Sequence, residues 1–139
     1  MIRKIMPNVV SGQDTLSLGG EETVQEAANA MAKRKIHAVM IVEGDKLVGL
    51  FTGTDLVRKV VAKGLLPDQT KLKEVMTEDP QTVTPDTDAI EALHLMQDGK
   101  FRHLPVLENG KVIGIVSRKD FLSLEIEELE RQEKLWEEM

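Results

Sequence analysis

A shift of 65 residues lays this 139-residue chain over itself, and that internal repeat constrains the fold more than any other feature. Residues 24–57 lie over 89–122 without a gap. Eight of the 34 pairs are identical: Glu26/Glu91, Ala27/Ala92, Met31/Met96, Lys35/Lys100, Glu43/Glu108, Lys46/Lys111, Gly49/Gly114 and Asp55/Asp120. Unrelated segments of ordinary composition would share about two. Other pairs keep their character, among them Thr52/Ser117. Two copies of a long unit make a duplicated half-domain, not an open-ended solenoid.

Both copies read alike. Val24, Ala27, Ala28 and Met31 fall at helical spacing, as do Ala89, Ala92, Leu93 and Met96. Short apolar runs follow, Ala38 to Val42 and Leu104 to Leu107. The turns at 43–45 and 108–110 reverse the chain, and Asn109-Gly110 is a strong hairpin signal. Second strands span Leu47 to Phe51 and Val112 to Val116, and second helices begin near Gly53 and Arg118. A β-prone piece precedes each first helix, Thr15 to Leu18 and Thr82 to Thr84. The order is β-α-β-β-α, twice.

The strands are nearly continuous in apolar residues, so both faces should be covered. One unit is too small to bury its own apolar surface well. The expectation is an α/β module of two units packed sheet to sheet with pseudo-twofold symmetry and a cleft between the halves. Its divisions are 1–65, 66–123 and an acidic C-terminal helix, 124–139. Met31 and Met96 read as core filler. Met6 and Met76, in the triplets KIM and EVM, read as equivalent marks at the entry to each unit.

The sharpest motif is also written twice, at the turn from second strand to second helix: Gly49-Leu-Phe-Thr52-Gly-Thr-Asp55 and Gly114-Ile-Val-Ser117-Arg-Lys-Asp120. A hydroxyl followed three residues later by an acid is a capping box, stabilising the helix start by about 1 kcal/mol. The same geometry suits a ligand. A helix N-terminus attracts phosphate, and a nearby carboxylate can accept from paired hydroxyls such as those of a ribose. Glycine three residues earlier allows close approach to the backbone. The motif alone leaves both readings open.

The duplication, the element order, these corners and the segment FRHLPVLENGKVIGIVSRKD together resemble the cystathionine-β-synthase-type (CBS) domain family over about residues 1–123. The resemblance implies a tandem pair, a Bateman module, that binds an adenosine-containing ligand between the repeats: AMP, ADP, ATP or a molecule like S-adenosylmethionine. It implies Thr52 and Ser117 as phosphate contacts and Asp55 and Asp120 as ribose contacts. Ser17-Leu18 and Thr82-Val83 would frame adenine. It implies regulation rather than catalysis, with no obligatory cofactor.

The copies differ in charge. Arg102, His103, Arg118 and Lys119 surround the second corner, where the first has His37, Ala38, Gly53 and Thr54. Phosphate is held best by charge-assisted donors, so the second corner should be the stronger anion site. The first also has Met40 where the second has Pro105, and its lead-in is five residues longer, judged from Met6 to Val24 against Met76 to Ala89.

Other chemistries find little support. The chain has no cysteine, which removes disulfides and thiolate catalysis. His37, His94 and His103 are too scattered for a metal set, and His94 reads as solvated. No serine sits in a nucleophile elbow. Of the net charge of −6, −5 falls within Glu125 to Met139, so the body is nearly neutral and unsuited to nucleic acid. No apolar run is long enough for a membrane helix, and the N-terminus has no apolar secretory stretch, so the expected location is the cytoplasm.

The tail from Leu122 is a good helix former with apolar residues at 122, 126, 129 and 136, interrupted by Glu133. It reads as folding back on its own body, with a dimer contact as the alternative and some burial expected of Trp136. With no effector domain evident, the expected protein is a homodimeric ligand sensor acting on a partner in trans. The alternative is a ligand-independent dimerisation or interaction domain whose corners serve only as caps.

Overall fold

The structure, a computed structural model, describes residues 2–10 and 15–138. Met1, Met139 and positions 11–14, which belong to the expected end domains, lie outside the described residues. The elements are β1 (Ser17–Leu18), α1 (Val24–Arg34), β2 (Ala38–Glu43), β3 (Lys46–Thr52), α2 (Gly53–Asp55), α3 (Leu72–Val75), β4 (Thr77–Glu78), α4 (Ala89–Gly99), β5 (His103–Glu108), β6 (Lys111–Ser117) and α5 (Ser123–Glu138). A π-helical segment, Leu56–Val61, continues α2. The chain is thus mixed α/β, as its pattern predicts.

Two compact units result. One contains Met1–Asp14, Gln81–Asn109 and Ile113–Met139; the other contains Thr15–Pro80 and Gly110–Val112. These units cut across the linear divisions at 65 and 123, because the N-terminal segment belongs with the second repeat.

Repeat-related elements begin and end 65 residues apart: α1 with α4, β3 with β6. Both first helices stop at a lysine in the left-handed region, Lys35 at φ 55° and Lys100 at φ 58°. The two hairpin turns use Gly44 at φ 62° and Asn109-Gly110 at φ 52° and 79°, the positive angles that a tight two-residue reversal demands. β1 pairs in parallel with β2, Leu18 opposite Ile41. In the other unit Val83 bridges Val106, also in parallel and again 65 residues on. The repeat register therefore extends back to residue 18.

The lead-ins explain the composition of the units. Val24 N–H donates to Thr70 O at 2.9 Å and Leu72 N–H to Glu22 O at 2.9 Å. In the other unit Ala89 N–H donates to Arg3 O at 2.8 Å and Ile5 N–H to Thr87 O at 2.8 Å. Segment 70–73 thus closes the start of α1 as segment 3–6 closes the start of α4. Ile5 corresponds to Leu72, both fully buried. The pairing of Met6 with Met76 is therefore corrected: Met6 corresponds to Lys73. The triplets look alike, but backbone pairing, which side-chain similarity does not report, sets the equivalence.

Charge reinforces both closures. Lys4 pairs with Asp88. Lys71 and Lys73 both reach Glu21, at 2.6 and 2.5 Å. Hydrogen bonds from these two ammonium groups, with their charge, pull the Glu21 carboxyl from 4.5 down to about 2. A carboxyl lowered on folding contributes stability that is present above its unfolded value and lost as pH falls through its folded one. The Glu21 contribution should therefore be complete above pH 4.5 and vanish near pH 2. A carbon-detected NMR titration of Glu21 should give a midpoint near 2, returning to the ordinary range in a Lys71→Met/Lys73→Met variant. A wild-type midpoint near 4.5 would remove the pairing from the account.

Each unit has its own core. Val24, Ala27, Met31, Val39, Ile41, Phe51, Val60, Leu72 and Val75 form one. Ile5, Val83, Ala89, Leu93, Met96, Leu104, Val106, Val116, Phe121 and Leu129 are among those forming the other. Ala38 to Ile41 are buried without alternation, so both faces of β2 are covered as its apolar run predicts.

The tail joins the second core only in part. Leu129 is buried, Ile126 packs beside it, and Gln132 Oε1 lies 2.7 Å from His94 Nε2. His94 is therefore half-buried and bonded to α5, which corrects its reading as a solvated residue. Trp136 lies past the end of this contact and is 76% exposed, contrary to the expected burial.

Candidate functional site

The first corner is formed where β3 runs into α2. Thr52 takes the extended backbone of an N-cap, and its hydroxyl accepts from Asp55 N–H at 3.2 Å. Thr52 N–H donates to Asp55 Oδ2 at 3.0 Å, completing the box. The first helical amide is also satisfied, since Gly53 N–H donates to His37 O at 3.0 Å. The chain reaches back to the same carboxylate from β4. Thr77 Oγ1 lies 3.3 and 3.4 Å from the two Asp55 oxygens, and Lys59 Nζ lies 3.1 Å from Oδ1. Asp55 is only 7% exposed. A carboxylate so placed is occupied by its own protein.

Gly49 does not present an open backbone. A methyl group built there would run into the Met76 side chain and lie 3.1 Å from Thr77 O. The glycine is needed because β4 pairs at this point, Gly49 opposite Glu78. The expected approach of a ligand at Gly49 is therefore corrected to an approach by the chain itself.

The second corner starts in the same way. Ser117 N–H donates to Asp120 Oδ2 at 2.8 Å, and Ser117 Oγ–H reaches the same oxygen at 3.2 Å. Arg118 N–H donates to Arg102 O at 3.0 Å, matching Gly53 and His37. Beyond the cap the two corners diverge. The second helix is a single 3₁₀ turn, Arg118–Asp120, and Phe121 returns to extended backbone with its ring buried. One turn sums few peptide dipoles, so the expected helix-terminal attraction for phosphate is weak here. Attraction must come from side chains. Arg102 and Lys119 are exposed and Arg118 and His103 half-buried. Among the described residues, Asp120 bonds only Ser117.

Of the adenine-framing pieces, Ser17–Leu18 form β1 and Val83 makes a single bridge to Val106. Ser17 pairs with Met40, two residues along β2 from Ala38, which is opposite Thr52. That separates them by about 7 Å along the strand. Ser17 is exposed and Leu18 half-buried. In the second repeat Val83 N–H donates to Pro105 O at 3.0 Å, and the Val83 side chain is in the core. Val83 O also accepts from Leu107 N–H at 2.9 Å, so its backbone is spent on β5 and half-buried Thr82 is left to meet a ligand.

Sequence reasoning found the corner pairs but missed Lys59 and Thr77. The i,i+4 spacing of Asp55 and Lys59 was a readable signal; Thr77 had none. A depression of about 400 Å³ between the end of α1 and the start of α2 was also missed. It is lined by Met31, Ala32, Ile36, His37, Gly53 and Leu56 among others, is mainly apolar, and includes neither Thr52 nor Asp55. Among the described residues no cluster of three His, Asp or Glu side chains is placed to hold a metal ion, and no helix is long and apolar enough to cross a membrane.

Comparison with known proteins gives one family. The sequence model of the CBS domain matches residues 2–62 and again 72–127. The chain is 44% identical over 102 residues to an Arabidopsis thaliana CBS domain-containing protein, CBSCBSPB2, covering 73% of this chain and 19% of that one. It thus spans about a fifth of such a relative. A CBS-domain-containing protein of Agrobacterium tumefaciens has a similar structure, with TM-score 0.73, 32% identity and coverage of 79% and 83% of the two chains. A CBS domain protein of Pyrobaculum aerophilum, complexed with AMP, shares the fold with TM-score 0.76, 24% identity and coverage of 87% and 95%.

Proposed function

The chain belongs to the CBS domain family, and we propose that it is a regulatory module that binds an adenosine-containing ligand and signals occupancy to a partner in trans. The observation that carries the reading is the second corner. There a half-buried carboxylate, bonded among the described residues to its capping serine alone, stands beside Arg102, Arg118 and Lys119. Ser117 Oγ and these cations are suited to a phosphate, where charge-assisted bonds are strongest. Asp120 can accept from paired ribose hydroxyls. Thr82 would border the base. The AMP held by the Pyrobaculum aerophilum protein is an instance of such a ligand in this fold.

The same proposal takes the chain as a non-catalytic homodimer. Its corner residues are read as binding groups, since each carboxylate closes a helix start. A ligand shifts a regulatory equilibrium only by binding one arrangement more tightly than another.

A second reading, a ligand-independent dimerisation or interaction domain, is favoured by the first corner, where Asp55 is consumed by the cap, Thr77 and Lys59. A thermal-shift panel of AMP, ADP, ATP, S-adenosylmethionine and NADH separates the two. At a hundredfold excess over Kd a true ligand stabilises by about 2.7 kcal/mol. For a chain of this size that is a rise of several degrees. A flat response to all five would leave the second reading.

A further inference from the structure

α5 has two faces of different character. Leu129 and Ile126 bury against the second core, Gln132 bonds His94, and Glu125 lies 3.5 Å from Arg3. Away from that contact runs a stripe at spacings of four, three and four: Leu124, Glu128, Arg131 and Leu135. The leucines are 74% and 50% exposed. Between them Glu128 Oε1 and Arg131 Nη2 pair at 2.5 Å. This is the spacing of a coiled-coil seam, with apolar ends and one acid and one base in the middle.

The order of these residues is self-complementary. The geometry points to a second copy of this chain on the outer face of α5, the two helices antiparallel about a twofold axis. In that arrangement Leu124 meets Leu135 of the second copy, Glu128 meets its Arg131, and each contact occurs twice, as an isologous interface requires. Glu127 flanks the seam and faces Lys134 of the second copy. A parallel pairing would set Glu128 on Glu128 and Arg131 on Arg131, so like charges reject it. Antiparallel helices also oppose their dipoles favourably. Of the tail's acids, Glu130, Glu133 and Glu137 occupy heptad positions away from the seam.

The inference rests on the homodimer reading and names its surface. The chain has no cysteine, so single cysteines report pairing directly. Leu124→Cys and Leu135→Cys chains, mixed and oxidised, should cross-link to each other. Neither should cross-link to itself, because like positions stand about 16 Å apart along antiparallel helices. Self-linking of Leu124→Cys would mean parallel pairing and overturn the proposal. A Leu124→Glu/Leu135→Glu variant should dissociate at least tenfold more readily by light scattering and keep the parent's far-ultraviolet circular dichroism. If that variant stays dimeric, the chain pairs elsewhere and the α5 surface falls while the homodimer stands. If the unmodified chain is monomeric at high concentration, both fall. An unchanged nucleotide-induced thermal shift in the dissociated variant separates this surface from the ligand site.

Discussion

Replacing Asp120 with alanine is expected to weaken nucleotide binding at least tenfold, while replacing Asp55 leaves it nearly intact. The two residues are equivalent in the repeat, and both cap a helix start, so each substitution should cost about 1 kcal/mol of stability. Their surroundings separate them. Asp55 is buried under Thr77 and Lys59, and a ribose could reach it only by breaking those contacts. Asp120 is half-buried and bonded to Ser117 alone among the described residues. A hydrogen bond to a charged group contributes about 1.5–3 kcal/mol, so its loss weakens binding about 10- to 100-fold. Calorimetric titration with the best ligand from the thermal panel should show that loss for Asp120→Ala and a change below about threefold for Asp55→Ala. Stoichiometry should be one ligand per chain. Equal losses at the two positions would mean that the first corner opens, and the asymmetry argued from Lys59 and Thr77 would be wrong.

The largest stability effect is expected at Phe51. Its ring is fully buried where β3 crosses the first core, among Val24, Ala27 and Val60. Truncating a buried phenylalanine to alanine removes its transfer free energy and leaves a cavity, at about 3–5 kcal/mol. Domains of this size are stable by about 5–15 kcal/mol, so Phe51→Ala should leave the chain marginal at best. Urea unfolding measures this, with Leu66→Ala as the exposed control expected within about 0.5 kcal/mol of the parent. A loss below about 1 kcal/mol for Phe51→Ala would mean that this core is not packed as described.

These predictions draw on different kinds of information. Phe51 could be placed from the sequence, since it sits in an apolar run repeated 65 residues later at Val116, also buried. The Thr52–Asp55 and Ser117–Asp120 boxes were legible for a similar reason: a cap is closed by residues three apart, whatever the rest of the chain does. The cations of the second corner were legible too, because Arg118 and Lys119 adjoin Ser117 in the chain.

The sequence by itself therefore determined what local periodicity and short spacing can encode: the twice-written helix and strand hairpin, the register of 65 residues and the two corners. Tertiary structure decided what meets across long stretches of chain. It put segment 3–6 against the start of α4 and segment 70–73 against the start of α1, shifting the lead-in equivalence to Ile5 and Leu72. It brought Thr77 over Asp55, set Met76 against Gly49, tied His94 to Gln132, and left Trp136 beyond the core. The physical reason is that closing a long loop costs only slightly more entropy than closing a shorter one. Separation along the chain therefore says little about which distant residues meet, and packing selects among them.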